Sequence, residues 1–250
     1  MKWLSCALAM LLTCSANAYI DKSKIGWDQH VGAKLPLDLE FTDSQGQRVR
    51  LGDSFEGRPV ALAFVYLSCP ELCPEVLTGI QEAFDHADLK ANRDYEFIAV
   101  SIDPHDTPTD AAARLQHLPL ANHHLRLLTT TDHNAAKLAQ VAGFRYVYDN
   151  EHQQFAHPAG FLVATPDGKI SRYFFGVRYD AQDLRDAVEV ARGGSISPIV
   201  RQILLVCFHF DPTQGPYSAT IMTTLRGISI AMLALVAIVL AMRIHHRKHV

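Results

Sequence analysis

The stretch PVALAFVYL, Pro59 to Leu67, is a nearly continuous apolar run rich in β-formers. A run of this kind fits a strand covered on both faces, not a strand with one side in water. YEFIAVSID from Tyr95 repeats the pattern, and LRLLTT from Leu125 adds a third strand. Several two-faced strands need helices to cover them, and helical stripes stand between the runs. After Pro74, EVLTGIQEAFDHADL places Val76, Leu77, Ile80, Ala83, Phe84 and Ala87 at helical spacing. TPTDAAARLQHL opens with Thr and Pro, DHNAAKLAQVAGF ends on Gly143, which suits a helix C-cap, and DAQDLRDAVEVARGG closes on glycines.

Ahead of these elements, LPLDLEFTD and QRVRLGD alternate apolar and polar residues across SQGQ and predict an N-terminal hairpin. AGFLVATPDGKISRYFFG predicts a second pair of strands around the turn TPDGK. The order ββ, α, β, α, β, α, ββ, α is the pattern of a thioredoxin-like α/β domain, and periodicity alone also allows other three-layer α/β folds. A chain of 250 residues has room for one such domain plus targeting and anchoring segments. Hydrophobic residues make up 48% and charged residues 20%, with the apolar excess mostly at the two ends. The net charge is -3 and no Lys/Arg-rich stretch lies inside the globular part, so nothing points to nucleic acid.

At the N-terminus, MKWLSCALAMLLTCSANA combines a positive residue, an apolar stretch and the small-x-small pattern Ala16-Asn17-Ala18. That is the layout of an export signal over residues 1–18, cleaved before Tyr19; a lipoprotein signal using Cys14 is disfavoured by the bulk of Thr13. Near the other end, residues 221–242 form an apolar run long enough to cross a bilayer if Arg226 reaches the interface. Arg243, Arg247 and Lys248 follow it directly, so residues 243–250 are expected in the cytoplasm. The expected plan is a domain over 19–192, a juxtamembrane segment over 193–220 and a single membrane helix. The globular part then faces the periplasmic side of a bacterial-type inner membrane.

Export changes the meaning of the cysteines. Cys6 and Cys14 leave with the signal, so Cys69, Cys73 and Cys207 remain, an odd number that fits chemistry better than a stapled scaffold. In YLSCPELCPEVL, Cys69 follows a strand and Cys73 opens a helix, where unpaired N–H groups and the helix dipole stabilise thiolates. Separation by four places both sulfurs on one side of the first turn, and Pro74 fits there because its missing N–H costs nothing. A structural disulfide, a reversible dithiol and a metal clamp all suit the pair. Two thiolates suit Cu(I), and an added imidazole suits copper in either oxidation state. Most of the 13 histidines sit in polar surroundings, whereas His157 in FAHPAGFLVATPDG stands in a predicted loop directly before the hairpin strand.

Three segments in register, YLSCPELCPEVL, AVSIDPHDTPTDA and HPAGFLVATPDGKISRYFFG, resemble the Sco/SenC family of cytochrome c oxidase assembly proteins over roughly residues 30 to 192. The resemblance implies copper bound by Cys69, Cys73 and His157. It also implies either copper delivery to the dinuclear copper A centre of oxidase subunit II or reduction of that centre's cysteines. Other periplasmic copper carriers or thiol reductants are further partners on this reading. Family members are often tethered by an N-terminal helix, whereas here the anchor is expected at the C-terminus.

Asp103, at the end of the second buried strand, is a candidate to support the site, although capping of the following turn accounts for it more simply. In LLVCFHFDPTQGPYS, Cys207, His209 and Asp211 alternate and would share one face of an extended segment. They could form a second soft-metal or mixed-disulfide site, against the simpler reading of an interfacial amphipathic segment. The expected activity is that of a membrane-anchored copper metallochaperone with an exposed site open to ligand exchange. A thiol-disulfide reductase using the same cysteines is the alternative. A peroxidase fits less well, because Tyr66 stands where a Thr is wanted three residues before Cys69.

Overall fold

The computed structural model describes residues 22–69, 72–118, 124–197, 206–207, 227–230 and 232. The expected signal, the basic tail and His209 lie outside them, as does nearly all of the expected membrane span; 227–230 and 232 are helical. Among the described residues no helix is long and apolar enough to cross a membrane, so the expected C-terminal membrane helix is not among the elements below.

In chain order the strands are β1 (Gly26–Trp27), β2 (Glu40–Asp43), β3 (Arg48–Arg50), β4 (Val60–Val65), β5 (Glu96–Ser101) and β6 (Leu125–Thr129). They continue with β7 (Phe144–Arg145), β8 (Val147–Asp149), β9 (Gln154–Pro158), β10 (Gly160–Ala164), β11 (Ile170–Phe175) and β12 (Val206–Cys207). The α-helices are α1 (Leu72–His86), α2 (Pro108–His117), α3 (Asn134–Val141) and α4 (Ala181–Arg192).

Seven strands make the main sheet in the order β11-β10-β4-β5-β6-β2-β3. Its centre, β4-β5-β6, is parallel, and every residue of β4 and β5 is buried, as a strand covered by helices on both faces requires. The two expected hairpins flank this centre. β2 and β3 pair antiparallel and join the sheet through β6, while β10 and β11 join it through β4 with Phe161 opposite Ala63.

The helices pack by the stripes read from the sequence. Val76, Leu77, Ile80, Ala83 and Phe84 of α1 are all buried, and the Phe84 ring stacks on Tyr95. Gly79 lets α1 approach closely, since a Cβ there would lie 2.1 Å from the Val177 carbonyl oxygen. Helix α2 opens with a capping box: Thr107 Oγ1 accepts the Asp110 amide, and the Asp110 carboxylate accepts the Thr107 amide.

Smaller sheets stand beside the main one. β1 pairs with β7, and β8, β9 and β12 form a three-stranded sheet in which Val206 is the register partner of Pro158 and Cys207 that of His157. The expected domain ends at 192, yet Ser197 donates its amide to the Ser171 carbonyl and β12 pairs back onto β9. The compact unit accordingly runs to Cys207, with 208–250 forming a second unit.

Gly143 closes α3 at φ +67°, and a Cβ would fall 1.9 Å from the Asp28 carbonyl oxygen. The Asp28 amide donates to the Gly143 carbonyl at 2.7 Å and so ties β1 to the start of β7. Gly143→Ala would combine a left-handed backbone with a collision against backbone. We expect it to destabilise the protein by about 2–4 kcal/mol, read as a lowered urea midpoint at unchanged slope.

Candidate metal centre

The site begins where β4 ends. Past Val65 the chain leaves the sheet through Tyr66 and Leu67, both buried, and turns toward Cys69, whose amide closes a turn onto the Tyr66 carbonyl at 3.3 Å. Three groups from elsewhere hold this exit. The Leu67 amide donates to Asp106 Oδ2 at 2.7 Å, Ser101 Oγ donates to the same oxygen, and the Arg114 guanidinium donates to the carbonyls of Leu67 and Cys69. Leu67 is therefore pinned at both its N–H and its C=O. Burial pushes the Asp106 carboxyl above its ordinary value, opposed by the Ser101 hydroxyl and the Leu67 amide.

Helix α1 begins at Leu72, so Cys73 lies in its first turn, where backbone amides have no partner within the helix. The Cys73 amide points at Cys69 Sγ, 3.5 Å away. A sulfur receiving a helix-start amide is favoured as thiolate. Both cysteines are thiols, not a disulfide.

His157 arrives from the neighbouring sheet. The sequence suggests a loop, but His157 lies inside β9, which pairs with β8 as far as Ala156 and with β12 at His157 and Pro158. Its Nδ1 lies 3.1 Å from the Pro158 carbonyl oxygen and its Nε2 lies 3.8 Å from Cys73 Sγ. A carbonyl only accepts, so Nδ1 carries the proton and Nε2 presents a lone pair toward the sulfur. The imidazole is packed edge-on to Tyr66 and tilted against Phe144, with ring centroids 5.7 and 5.8 Å away.

The three side chains are not open to solvent as expected: Cys69, Cys73 and His157 are 4%, 3% and 2% exposed. For the imidazole, Tyr66 and Phe144 account for the difference, since both rings pack against it. Burial also holds His157 below the ordinary imidazole value, partly offset by the Pro158 carbonyl and the charge of Cys69. Among the described residues no three donors are already gathered round one ion position. Cys73 and His157 are adjacent, with Cys69 Sγ held at the Cys73 amide. The donor chemistry nonetheless fits a soft ion: two sulfurs, and an imidazole whose second nitrogen bonds a backbone carbonyl, as metal-ligating histidines ordinarily do.

The remaining candidates separate. Asp103 accepts both the amide and the ring Nδ1–H of His105 at 2.9 Å, the turn-capping role, and its neighbour Asp106 is the residue that reaches the cysteine segment. Asp106 stands in the quoted segment AVSIDPHDTPTDA, but the spacing gave no reason to prefer it, and Arg114 carried no signal. Cys207 is placed in register with His157, and His209 is outside the described residues.

A mixed α/β sheet with two thiols at a helix start and a neutral imidazole across from them defines a thioredoxin-like domain built round a sulfur-imidazole site. The family model described as SCO1/SenC matches residues 29–191, more than half of the chain, and the chain belongs to that family. The mitochondrial SCO2 homolog of Bos taurus is 27% identical over 159 residues, a match covering 60% of this chain and 57% of that relative; the chain thus spans little more than half of that protein's length. Among solved structures, Arabidopsis thaliana ScoI with copper bound is 19% identical with a TM-score of 0.53, covering 66% of this chain and 99% of that one. BsSco, described as a member of the Sco family of cytochrome c oxidase assembly proteins in which a disulfide switch was identified, is 20% identical with a TM-score of 0.52. That alignment covers 66% of this chain and 98% of BsSco. Both structures share the fold.

Two outcomes follow from this geometry. Arg114→Ala removes the donor to the Leu67 and Cys69 carbonyls and should cost about 1–2 kcal/mol, measured by urea unfolding of the reduced protein. The second concerns pH. A His157 held neutral in the fold gives stability that is fully present above about pH 6.5, where the unfolded imidazole is also neutral. That stability is lost as the pH falls through that value toward the depressed folded one, because the unfolded chain takes up the proton first. Unfolding at pH 7, 6 and 5 should show wild type losing up to about 1.4 kcal/mol per pH unit relative to His157→Gln.

Proposed function

We propose that this protein is a copper metallochaperone for the copper A centre of cytochrome c oxidase, with Cys69, Cys73 and His157 holding the ion. The observation that carries the reading is the His157 tautomer. The Pro158 carbonyl occupies Nδ1 and leaves the Nε2 lone pair 3.8 Å from Cys73 Sγ, a ready imidazole-thiolate edge. Membership of the SCO1/SenC family supports it, as does copper in the Arabidopsis relative of the same fold. Copper is cargo here: it enters as a soft ion, displaces the thiol protons and leaves by exchange with donor groups of the partner. Oxidase subunit II is the partner this reading names. The apolar run over 221–242 and the basic residues after it favour a single-pass anchor, with the domain on the periplasmic side.

A second reading is favoured by one specific contact. The Cys73 amide directed at Cys69 Sγ at 3.5 Å prepares a nucleophilic thiolate, as a thiol-disulfide reductase requires, and BsSco carries a disulfide switch. The two readings part at His157. Copper titration of the reduced protein should give one tightly bound ion per chain, lost in Cys69→Ser/Cys73→Ser and weakened at least about tenfold in His157→Ala. A reductase would instead keep its exchange rate and still support oxidase maturation in His157→Ala. Tight stoichiometric binding that survives the double cysteine change would refute the copper site.

A further inference from the structure

A cation is tied directly to the segment that carries Cys69. Arg114, in the last turn of α2, donates from Nη2 to the Leu67 carbonyl and, at 3.0 Å, to the Cys69 carbonyl. Within one cysteine the carbonyl oxygen and Sγ stand at most about 5 Å apart. The guanidinium nitrogen is thus within about 8 Å of the Cys69 sulfur, a separation that physiological salt screens only in part. Acidic groups stand near it, since Asp103, Asp106 and Asp110 line one cleft with Arg114, Leu67 and Ser68. Asp110 precedes Arg114 by one helical turn, the spacing of a favourable ion pair, yet its carboxylate accepts the amide and hydroxyl of Thr107. Asp103 accepts from His105, and Asp106 accepts from Ser101 and Leu67. Among the described residues the guanidinium is hydrogen-bonded to the two carbonyls alone, so its charge is directed at the cysteine segment and is not spent on a carboxylate.

Resting on the copper reading above, we propose that Arg114 is a specificity-determining residue whose charge biases the Cys69/Cys73/His157 site toward Cu(I) over Cu(II). Charge balance is the reason. Each motif thiol gives up one proton to water when the ion binds, and no electron moves. His157 keeps its proton on Nδ1, at the Pro158 carbonyl, so an ion on Nε2 meets a neutral imidazole. Cu(I) with two thiolates then leaves one net negative charge among donors that are nearly all buried, whereas Cu(II) leaves none. A buried net charge is costly unless an opposite charge stands close by. The guanidinium therefore stabilises the monovalent complex and does nothing comparable for the neutral one. The Cys73 amide directed at Cys69 Sγ acts in the same direction. Burial raises the Asp106 pKa, which lessens the negative charge set against Arg114.

The test compares wild type, Arg114→Gln and Arg114→Lys as full chains, purified in detergent and reduced, with urea unfolding of each apo form to confirm that it is folded. Cu(I) affinity is read without oxygen by competition with bathocuproine disulfonate. The Cu(II)/Cu(I) potential of the loaded protein is read by mediated redox titration, with Cu(II) counted by electron paramagnetic resonance. Arg114→Gln should weaken Cu(I) binding at least about tenfold more than Cu(II) binding, so that the potential falls by about 59 mV for each tenfold. Arg114→Lys keeps the charge without the planar fork and should recover most of the wild-type potential. A merely structural role for Arg114 would displace the cysteine segment, weaken both ions alike and leave the potential where it was. An unchanged potential in Arg114→Gln, or a potential in Arg114→Lys as low as in Arg114→Gln, overturns the proposal. Failure of wild type to bind copper, or binding retained in Cys69→Ser/Cys73→Ser, brings down the copper reading itself and is told apart by those controls.

Discussion

Six residues of β4, Val60 to Val65, are paired along their length with β5 on one side, and β10 pairs with the stretch Val60 to Ala63 on the other. With both edges occupied and both faces buried, the strand has no freedom to slip, since a one-residue shift would exchange its two buried faces. The chain can leave only over the carboxyl end of the sheet, the place where open α/β sheets bind their ligands. Cys69 is there because β4 ends there. The Asp106 and Arg114 bonds to Leu67 and Cys69 then convert a general exit point into a fixed position for one sulfur.

The second half of the site rests on a different kind of constraint. His157 is carried by β9, a strand of a smaller sheet, and its chemistry is set by its own neighbour in sequence, the Pro158 carbonyl. A buried imidazole costs free energy when charged, so burial and the carbonyl together select one neutral tautomer, the one that offers Nε2 to a sulfur or an ion. Phe144 lies against that imidazole and also packs against Trp27 at 4.8 Å, so the small β1-β7 sheet supports the histidine from behind. The Gly143–Asp28 contact therefore bears on the site although it touches none of its donors.

What the sequence showed and what it hid divide along a physical line. Central strands and the α1 stripe were legible because burial on two faces or one imposes a continuous or helical apolar pattern, and Phe84 and Ile80 obey it. The Thr-Pro start of α2 was legible because a capping box is a local bond between residues three apart. Strands β7, β8 and β12 are two or three residues long, too short for any period to mark them. For the same reason His157 reads as loop until β8 and β12 are seen on either side of β9. The Asp106 and Arg114 clamp joins residues 39 and 47 positions from Leu67, a separation at which spacing carries no information.

Burial of the donors sets the remaining problem for the copper-carrier role proposed above. Thiols and an imidazole that are nearly all covered keep water, oxidants and competing ions out, but they also keep out the donor groups of a partner. Release on that reading must uncover at least one donor. The Cys69 side is poorly placed to move, because its segment is held by a buried carboxyl, a guanidinium and the start of a helix. The His157 side is held by β9, whose pairing with β12 covers two residues and includes a proline with no amide to offer. If the proposed role holds, a soft ion would pass from the donors of this chain to those of a partner one bond at a time, without ever being fully hydrated.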